Sequence, residues 1–231
     1  KLAENGKDIK MILVRAEIYA GSGDLRSADA YLSDVIRRLG QITEICEADG
    51  DIRVRLGDMQ GALQRYDSAV TTGSRPTPSL HVKRGIVQEA LGNIEGALNS
   101  YVSAAIKDPK NAEAYRGMAM CQMKQGNIPA AEKSIDTILI TDRSAATLAV
   151  RAEISAKKKD KEGVVSAYRQ YLKCNDRDAG NKEAMARALG EVGLTEDAEE
   201  FKQYGASAAK KSGAETPTSI KRLAARVLRR A

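Results

Sequence analysis

The sequence from Pro78 to Pro109, PSLHVKRGIVQEALGNIEGALNSYVSAAIKDP, decides the fold of this chain. Its pattern returns 34 residues later in Ala112–Arg143. Each copy reads as two amphipathic helices separated by a glycine turn, at Gly92 in the first copy and at Gly126 in the second. A fixed period of this length indicates a stacked repeat array, because one helix pair cannot bury its apolar side alone.

The turn glycine recurs through the chain, and a small residue follows it five places later. The glycine provides the open backbone geometry that ends the first helix, and the alanine lets two antiparallel helices approach closely. In the fifth repeat Lys159 and Asp160 replace the turn glycine, and Val164 replaces the alanine. The five matching pairs are Gly23 and Ala28, Gly57 and Ala62, Gly92 and Ala97, Gly126 and Ala131, and Gly193 and Ala198.

These residues resemble the tetratricopeptide repeat (TPR) family. The features that carry the resemblance are Gly85 at the eighth place of its repeat, Leu91-Gly92-Asn93 at the turn, and then Ala97, Tyr101, Ala104 and Pro109. The resemblance covers most of the chain. It implies an all-α fold, a right-handed superhelical solenoid of about six helix-turn-helix repeats, to which the sequence adds a C-terminal basic amphipathic helix.

The spacing predicts the domain limits. We predict an N-terminal extension at 1–8, the repeat array at 9–205, a linker at 206–217 and the basic amphipathic helix at 218–231. That helix either caps the last repeat or opens a further domain. The second repeat has the weakest pattern, and the Pro-rich loop after it is either an ordered connection or a hinge. The six repeats are 9–42, 43–77, 78–111, 112–144, 145–178 and 179–205.

The net charge of +6 is confined to the C-terminal tail. Residues 206–231 hold seven of the 37 basic residues and one of the 31 acidic residues, so residues 1–205 carry 30 of each. The repeat body is therefore neutral, and the pI does not indicate a basic body surface. The basic face of the tail helix, a candidate for docking on the protein itself or for anion binding, consists of Lys221, Arg222, Arg226, Arg229 and Arg230.

The sequence gives no support for an enzyme, a cofactor or a metal site. It contains no phosphate-binding loop, no dinucleotide fingerprint and no zinc motif, and its single histidine, His81, holds a packing position. Cys46, Cys121 and Cys174 are far apart and odd in number, which favours reduced thiols and a cytoplasmic location. No apolar run approaches the roughly 18 residues of a transmembrane helix.

The resemblance implies that the first helices of successive repeats line a concave groove, through their second, fifth, ninth and twelfth residues. Transferred to this chain, those positions are acidic in the first two repeats and apolar further on, which disfavours the carboxylate clamp of chaperone-binding relatives. Methionine gives such a groove an adaptable apolar surface. The candidate partner-binding residues are Glu17, Glu44, Glu47, Asp51, Val82, Ile86, Arg116, Met120 and Met123.

The predicted function is a non-catalytic scaffold or adaptor that binds a peptide segment or a partner protein in this groove. An acidic and apolar groove favours a segment with basic and apolar residues, a description that the tail helix itself meets and that would permit self-association. The alternative is a protein that associates with nucleic acid or an anionic surface through the tail. A third reading, in which the groove residues only pack between helices or are solvated, stays open.

Overall fold

The structure is a computed structural model, and it describes residues 6–73, 76–174 and 178–208. Within these ranges the chain forms only helices, with no strand. They are α1 (Gly6–Gly21), α2 (Leu25–Leu39), α3 (Thr43–Leu56), α4 (Met59–Thr72), α5 (Pro78–Ala90), α6 (Ile94–Lys107), α7 (Ala112–Lys124), α8 (Ile128–Leu139), α9 (Ala145–Lys157), α10 (Lys161–Tyr171), α11 (Ala179–Glu191) and α12 (Thr195–Ala208).

Two consecutive residues form the turn between the two helices of each pair. The five turn glycines all adopt a positive φ, for example 80° at Gly92. In most pairs an Asp or Asn follows and caps the second helix, as Asn93 does by accepting a hydrogen bond from the Gly96 amide. In the fifth repeat Lys159 takes the same left-handed conformation, with φ of 58°, and Asp160 is the cap. The turn is therefore retained there without glycine.

The described helices form two compact units, which divide between Cys121 and Gln122 within α7. In the first unit, Tyr66 and Tyr101 are each only 2% exposed and lie at the centre of the helix packing. Both rings pack against helical glycines. A methyl group on Gly50 would lie 2.4 Å from Cε1 of Tyr66, and one on Gly117 would lie 2.5 Å from Cζ of Tyr101. The small residues therefore make room for the tyrosines.

The core of the second unit is built around three aromatic rings. Tyr168 and Tyr171 make edge-to-face contacts with Phe201, with ring centroids 5.3 Å and 5.9 Å apart. Met185 and Leu189 of α11 are fully buried in the same cluster. These contacts join α10, α11 and α12 into one apolar core.

The predicted all-α class and its repeated helix pairs are confirmed. Two details of the predicted limits differ, since α1 begins at Gly6, inside the predicted extension, and α12 continues to Ala208, inside the predicted linker. The basic helix predicted at 218–231 lies outside the described residues. No described helix is both long enough and apolar enough to cross a membrane.

Candidate binding surface

One row of side chains recurs at the ninth position of four successive first helices. In α1, α3, α5 and α7 these residues are Glu17, Asp51, Ile86 and Met120. All four are at least partly accessible, Ile86 at 46% and Met120 at 37%. The row changes from acidic to apolar along the first unit. We use the term groove face for this row together with Glu44 and Glu47 of α3.

Lys83 of α5 binds two acids of the groove face. Its Nζ lies 2.8 Å from Oε1 of Glu47 and 2.7 Å from Oδ2 of Asp51. Burial alone would lower the pKa of Lys83, but its hydrogen bonds to Asp51 and Glu47 outweigh burial and raise the pKa above its ordinary value. The lysine is therefore charged, and it neutralises part of the acidity that the sequence predicts.

Two buried tyrosines from the second helices hold acids of the first helices in place. The hydroxyl of Tyr66 donates to Oδ1 of Asp51 at 2.7 Å, and that of Tyr101 donates to Oε2 of Glu89 at 3.1 Å. Burial, reinforced by the neighbouring carboxylates, raises the pKa of both tyrosines, so each hydroxyl keeps its proton and acts as a donor. Asp51 thus has both carboxylate oxygens fixed, one by Tyr66 and one by Lys83.

The remaining candidate residues differ in how exposed their side chains are. Glu17 and Glu44 are exposed, and Arg116 is half-buried on α7. Met123 is half-buried one turn beyond Met120 and belongs to the second unit. The predicted groove position of Val82 is corrected, because its side chain is only 3% exposed and packs in the core with Ala97 and Tyr101. The basic tail candidates, Lys221, Arg222, Arg226, Arg229 and Arg230, lie outside the described residues.

Sequence reasoning missed Lys83 because it considered only the second, fifth, ninth and twelfth positions of each first helix. Lys83 holds the sixth position of the third repeat, and its partners hold the fifth and ninth positions of the repeat before. A usable signal was the separation of 32 and 36 residues between opposite charges, close to one repeat length. A lysine one repeat after two acids predicts an ion pair between adjacent first helices.

The second unit shows the same signal more directly. Arg187 of α11 lies 3.1 Å from Glu153 of α9, and Lys157 of α9 lies 3.0 Å from Glu191 of α11. Both pairs are separated by 34 residues, so equivalent positions in adjacent repeats carry opposite charges. These partly exposed pairs join α9 to α11.

The comparisons with known proteins agree with this geometry. A family model described as tetratricopeptide repeat matches residues 89–154, from α5 to α9. Among the described helices α1 packs on α2, α3 on α4, α5 on α6, α9 on α10 and α11 on α12, which is the pairing of successive helices that such repeats form. Residues 89–154 therefore belong to the tetratricopeptide repeat family, and the described helices share the tetratricopeptide repeat fold. No curated protein matches this chain in sequence.

Solved structures share the fold at low sequence identity. A TPR protein from Parabacteroides merdae is 21% identical with a TM-score of 0.73, over 96% of this chain and 86% of that one. YrrB, described as a TPR protein with an unusual peptide-binding site, is 16% identical with a TM-score of 0.64, over 78% and 90%. PilW, a type IV pilus biogenesis factor, is 15% identical with a TM-score of 0.69, over 88% and 94%. Similarity at this level concerns the fold.

Proposed function

We propose that this TPR protein is an interaction scaffold whose groove face binds a partner segment carrying basic and apolar residues. TPR folds support protein–protein interaction in general, and such proteins are generally non-catalytic. The proposal of a basic and apolar partner segment rests on one row of side chains. The row offers two acids followed by two accessible apolar side chains, Glu17, Asp51, Ile86 and Met120. A segment that brings basic residues to Glu17 and Asp51 and apolar residues to Ile86 and Met120 complements that row.

The contacts around Asp51 support binding with little reorganisation. Tyr66 and Lys83 fix its two oxygens, so a ligand cation meets a carboxylate that is already positioned. Glu44 is exposed on the same helix, and it offers a carboxylate to a second cation. The affinity of such exposed charges depends on salt, because screening weakens them.

The apolar end of the groove face supplies the less salt-dependent part of the affinity. Ile86 is a stiff, β-branched side chain, whereas Met120 adapts to ligands of different shape. Their joint burial by a ligand contributes in proportion to the apolar area removed from water. The peptide-binding site described for YrrB supports a peptide as the class of ligand.

The chain's own residues 219–231, SIKRLAARVLRRA, have the required composition, so a labelled peptide of this sequence is a suitable probe. We propose that it binds the full chain at low salt, as measured by fluorescence anisotropy. We expect Ile86→Ser to weaken binding by up to about tenfold, because the side chain belongs to the proposed contact. We expect Glu44→Gln to weaken binding several-fold at low salt and less at high salt.

The matched control is Ile106→Ser, which removes an equally apolar and more exposed side chain, 75% accessible, from the second helix α6. It should leave the affinity unchanged. A scrambled peptide of the same composition tests whether binding depends on the order of basic and apolar residues. Equal loss in Ile86→Ser and Ile106→Ser, or equal affinity for both peptides, would remove the groove face from the proposal.

A further inference from the structure

An apolar stripe runs along α1 on the side opposite its packed face. Met11, Val14 and Ile18 are 72%, 54% and 65% exposed, and their spacing of three and four residues places them in one line. The opposite side of the helix packs in the core of the first unit through Ala16 and Ala20. Three large apolar side chains in line on one helix are unusual on a solvated surface and indicate an interface.

Charged residues border the stripe on both edges. The cation comes first along one edge, and the anion comes first along the other. By helical geometry, Lys10 and Glu17 lie on one edge, two turns apart, and Asp8 and Arg15 lie on the other. Each edge therefore carries a cation and an anion separated by seven residues. This is the spacing of the flanking positions in a coiled coil, where charges set the orientation of the partner helix.

We propose that this stripe packs on α1 of a second copy of the chain, with the two α1 helices antiparallel and Met11 and Val14 of each copy at the centre of the contact. A twofold axis then brings each edge against the same edge of the other copy in the reverse direction. When Met11 packs on Val14 of the second copy, Lys10 faces Glu17 of that copy and Asp8 faces its Arg15. All four flanking pairs of the symmetric dimer are attractive.

The charges also disfavour the parallel arrangement. In parallel helices Lys10 would face Arg15 of the second copy, and two cations at that distance repel. Arg15 is additionally held in place, because its guanidinium carbon lies 5.0 Å from the ring centroid of Tyr31 and 5.9 Å from that of Tyr19. It is thus oriented before the second copy binds.

Sedimentation velocity of the full chain, from about 1 µM to about 1 mM, tests the proposal, because an interface formed by one helix from each copy dissociates in that range. The wild type should pass from monomer to dimer. Met11→Glu with Val14→Glu should raise the dissociation constant at least about tenfold. Both positions are exposed, so far-ultraviolet circular dichroism should stay unchanged. Ile106→Glu, at another exposed apolar position, is the matched control and should dimerise normally.

A charge exchange tests the antiparallel orientation. Lys10→Glu and Glu17→Lys should each weaken dimerisation, because each places like charges opposite one another. An equimolar mixture of the two variants should restore it, since every altered pair is then attractive again. A wild-type chain that stays monomeric throughout, an unchanged dimer in the Met11→Glu/Val14→Glu variant, or a mixture no more associated than its components would each overturn the proposal. A monomeric chain would assign the stripe to a different partner.

Discussion

The Nε atom of Arg65 lies 2.6 Å from Oδ2 of Asp49, and the carboxylate of Asp49 is completely buried. Arg53 approaches the same oxygen at 3.4 Å and also lies 3.0 Å from Asp29 of α2. Burial raises the pKa of Asp49, while the two arginines act in the opposite direction. Asp49 occupies a position where TPR repeats usually have an apolar residue, and this network connects α2, α3 and α4 in its place.

We expect Asp49→Ala to lower the free energy of unfolding by about 3 kcal/mol, because it leaves two largely buried guanidinium groups without their shared anion. Urea denaturation followed by circular dichroism measures the change. Asp67→Ala is the matched control, since Asp67 pairs with Arg84 at 2.8 Å but has a side chain that is 48% exposed. Its loss should be below about 1 kcal/mol. Equal losses in the two variants would show that burial of the Asp49 network adds nothing to the free energy of unfolding.

The tyrosine and glycine contacts lead to a second prediction. Gly117→Ala should destabilise the chain by about 1–3 kcal/mol, because the added methyl group would overlap the ring of the buried Tyr101. Gly190→Ala is the control, since a methyl group there meets no atom within 4 Å. An alanine inside α11 should stabilise by about 0.5–1 kcal/mol. Thermal or urea unfolding of both variants checks the difference in sign, and two changes of the same sign would contradict it.

The sequence was sufficient to predict the helix pairs because the information is local. A turn glycine and the Asp or Asn after it determine where one helix ends and the next begins, as at Gly92 and Asn93. Lys83 was not predictable from the same local rule, since its partners Glu47 and Asp51 belong to the repeat before. Val82 was misplaced for a related reason. Whether a fifth-position side chain faces the groove or the core depends on how adjacent helices pack.

Lys159 provides a third prediction, because it is a non-glycine residue at φ of 58° among turns that otherwise use glycine. A side chain in the left-handed region costs roughly 1–2 kcal/mol. We expect Lys159→Gly to stabilise the chain by about 0.5–1 kcal/mol, the strain relief less the added entropy of the unfolded glycine. Gly193→Ala, at φ of 83°, should destabilise it. Chemical denaturation measures both. A loss of stability in Lys159→Gly would mean that the lysine makes a contact worth more than the strain.

His81 gives a prediction about pH. The side chain is 5% exposed, and neither ring nitrogen has a hydrogen-bond partner among the described residues. Burial, with smaller contributions from Lys107 and Arg84, lowers the pKa of His81 below its ordinary 6.5. Between this lowered pKa and pH 6.5 the folded state therefore binds fewer protons than the unfolded state. Stability should be complete above about pH 6.5 and should fall as the pH decreases towards the folded pKa.

His81→Leu should remove this part of the pH dependence, because leucine fits an apolar packing position and does not titrate. The measurement is the urea midpoint at several values between about pH 7.5 and about pH 5.5, where most carboxylates remain ionised. The wild type should lose stability over this interval, and the variant should lose clearly less. Parallel curves for the two proteins would contradict the prediction.

A substitution at Lys83 tests whether Glu47 and Asp51 of the groove face bind a ligand or only form ion pairs with this lysine. Lys83→Met keeps a long apolar side chain but releases Glu47 and Asp51 from their cation. If a basic segment binds the groove face, the variant should bind the 219–231 peptide several-fold more tightly at low salt, with a steeper salt dependence. The free energy of unfolding should fall by only about 1 kcal/mol, since the pair is partly exposed.

The matched control for Lys83→Met is Lys158→Met, which breaks a pair of the same length, 2.8 Å, with Glu132 in the second unit. That variant should leave peptide affinity unchanged, even though the net charge of the protein changes equally. Equal increases in both variants would assign the effect to net charge. Unchanged or weaker binding in Lys83→Met alone would mean that Glu47 and Asp51 serve only to join α3 to α5, and that a ligand does not contact them.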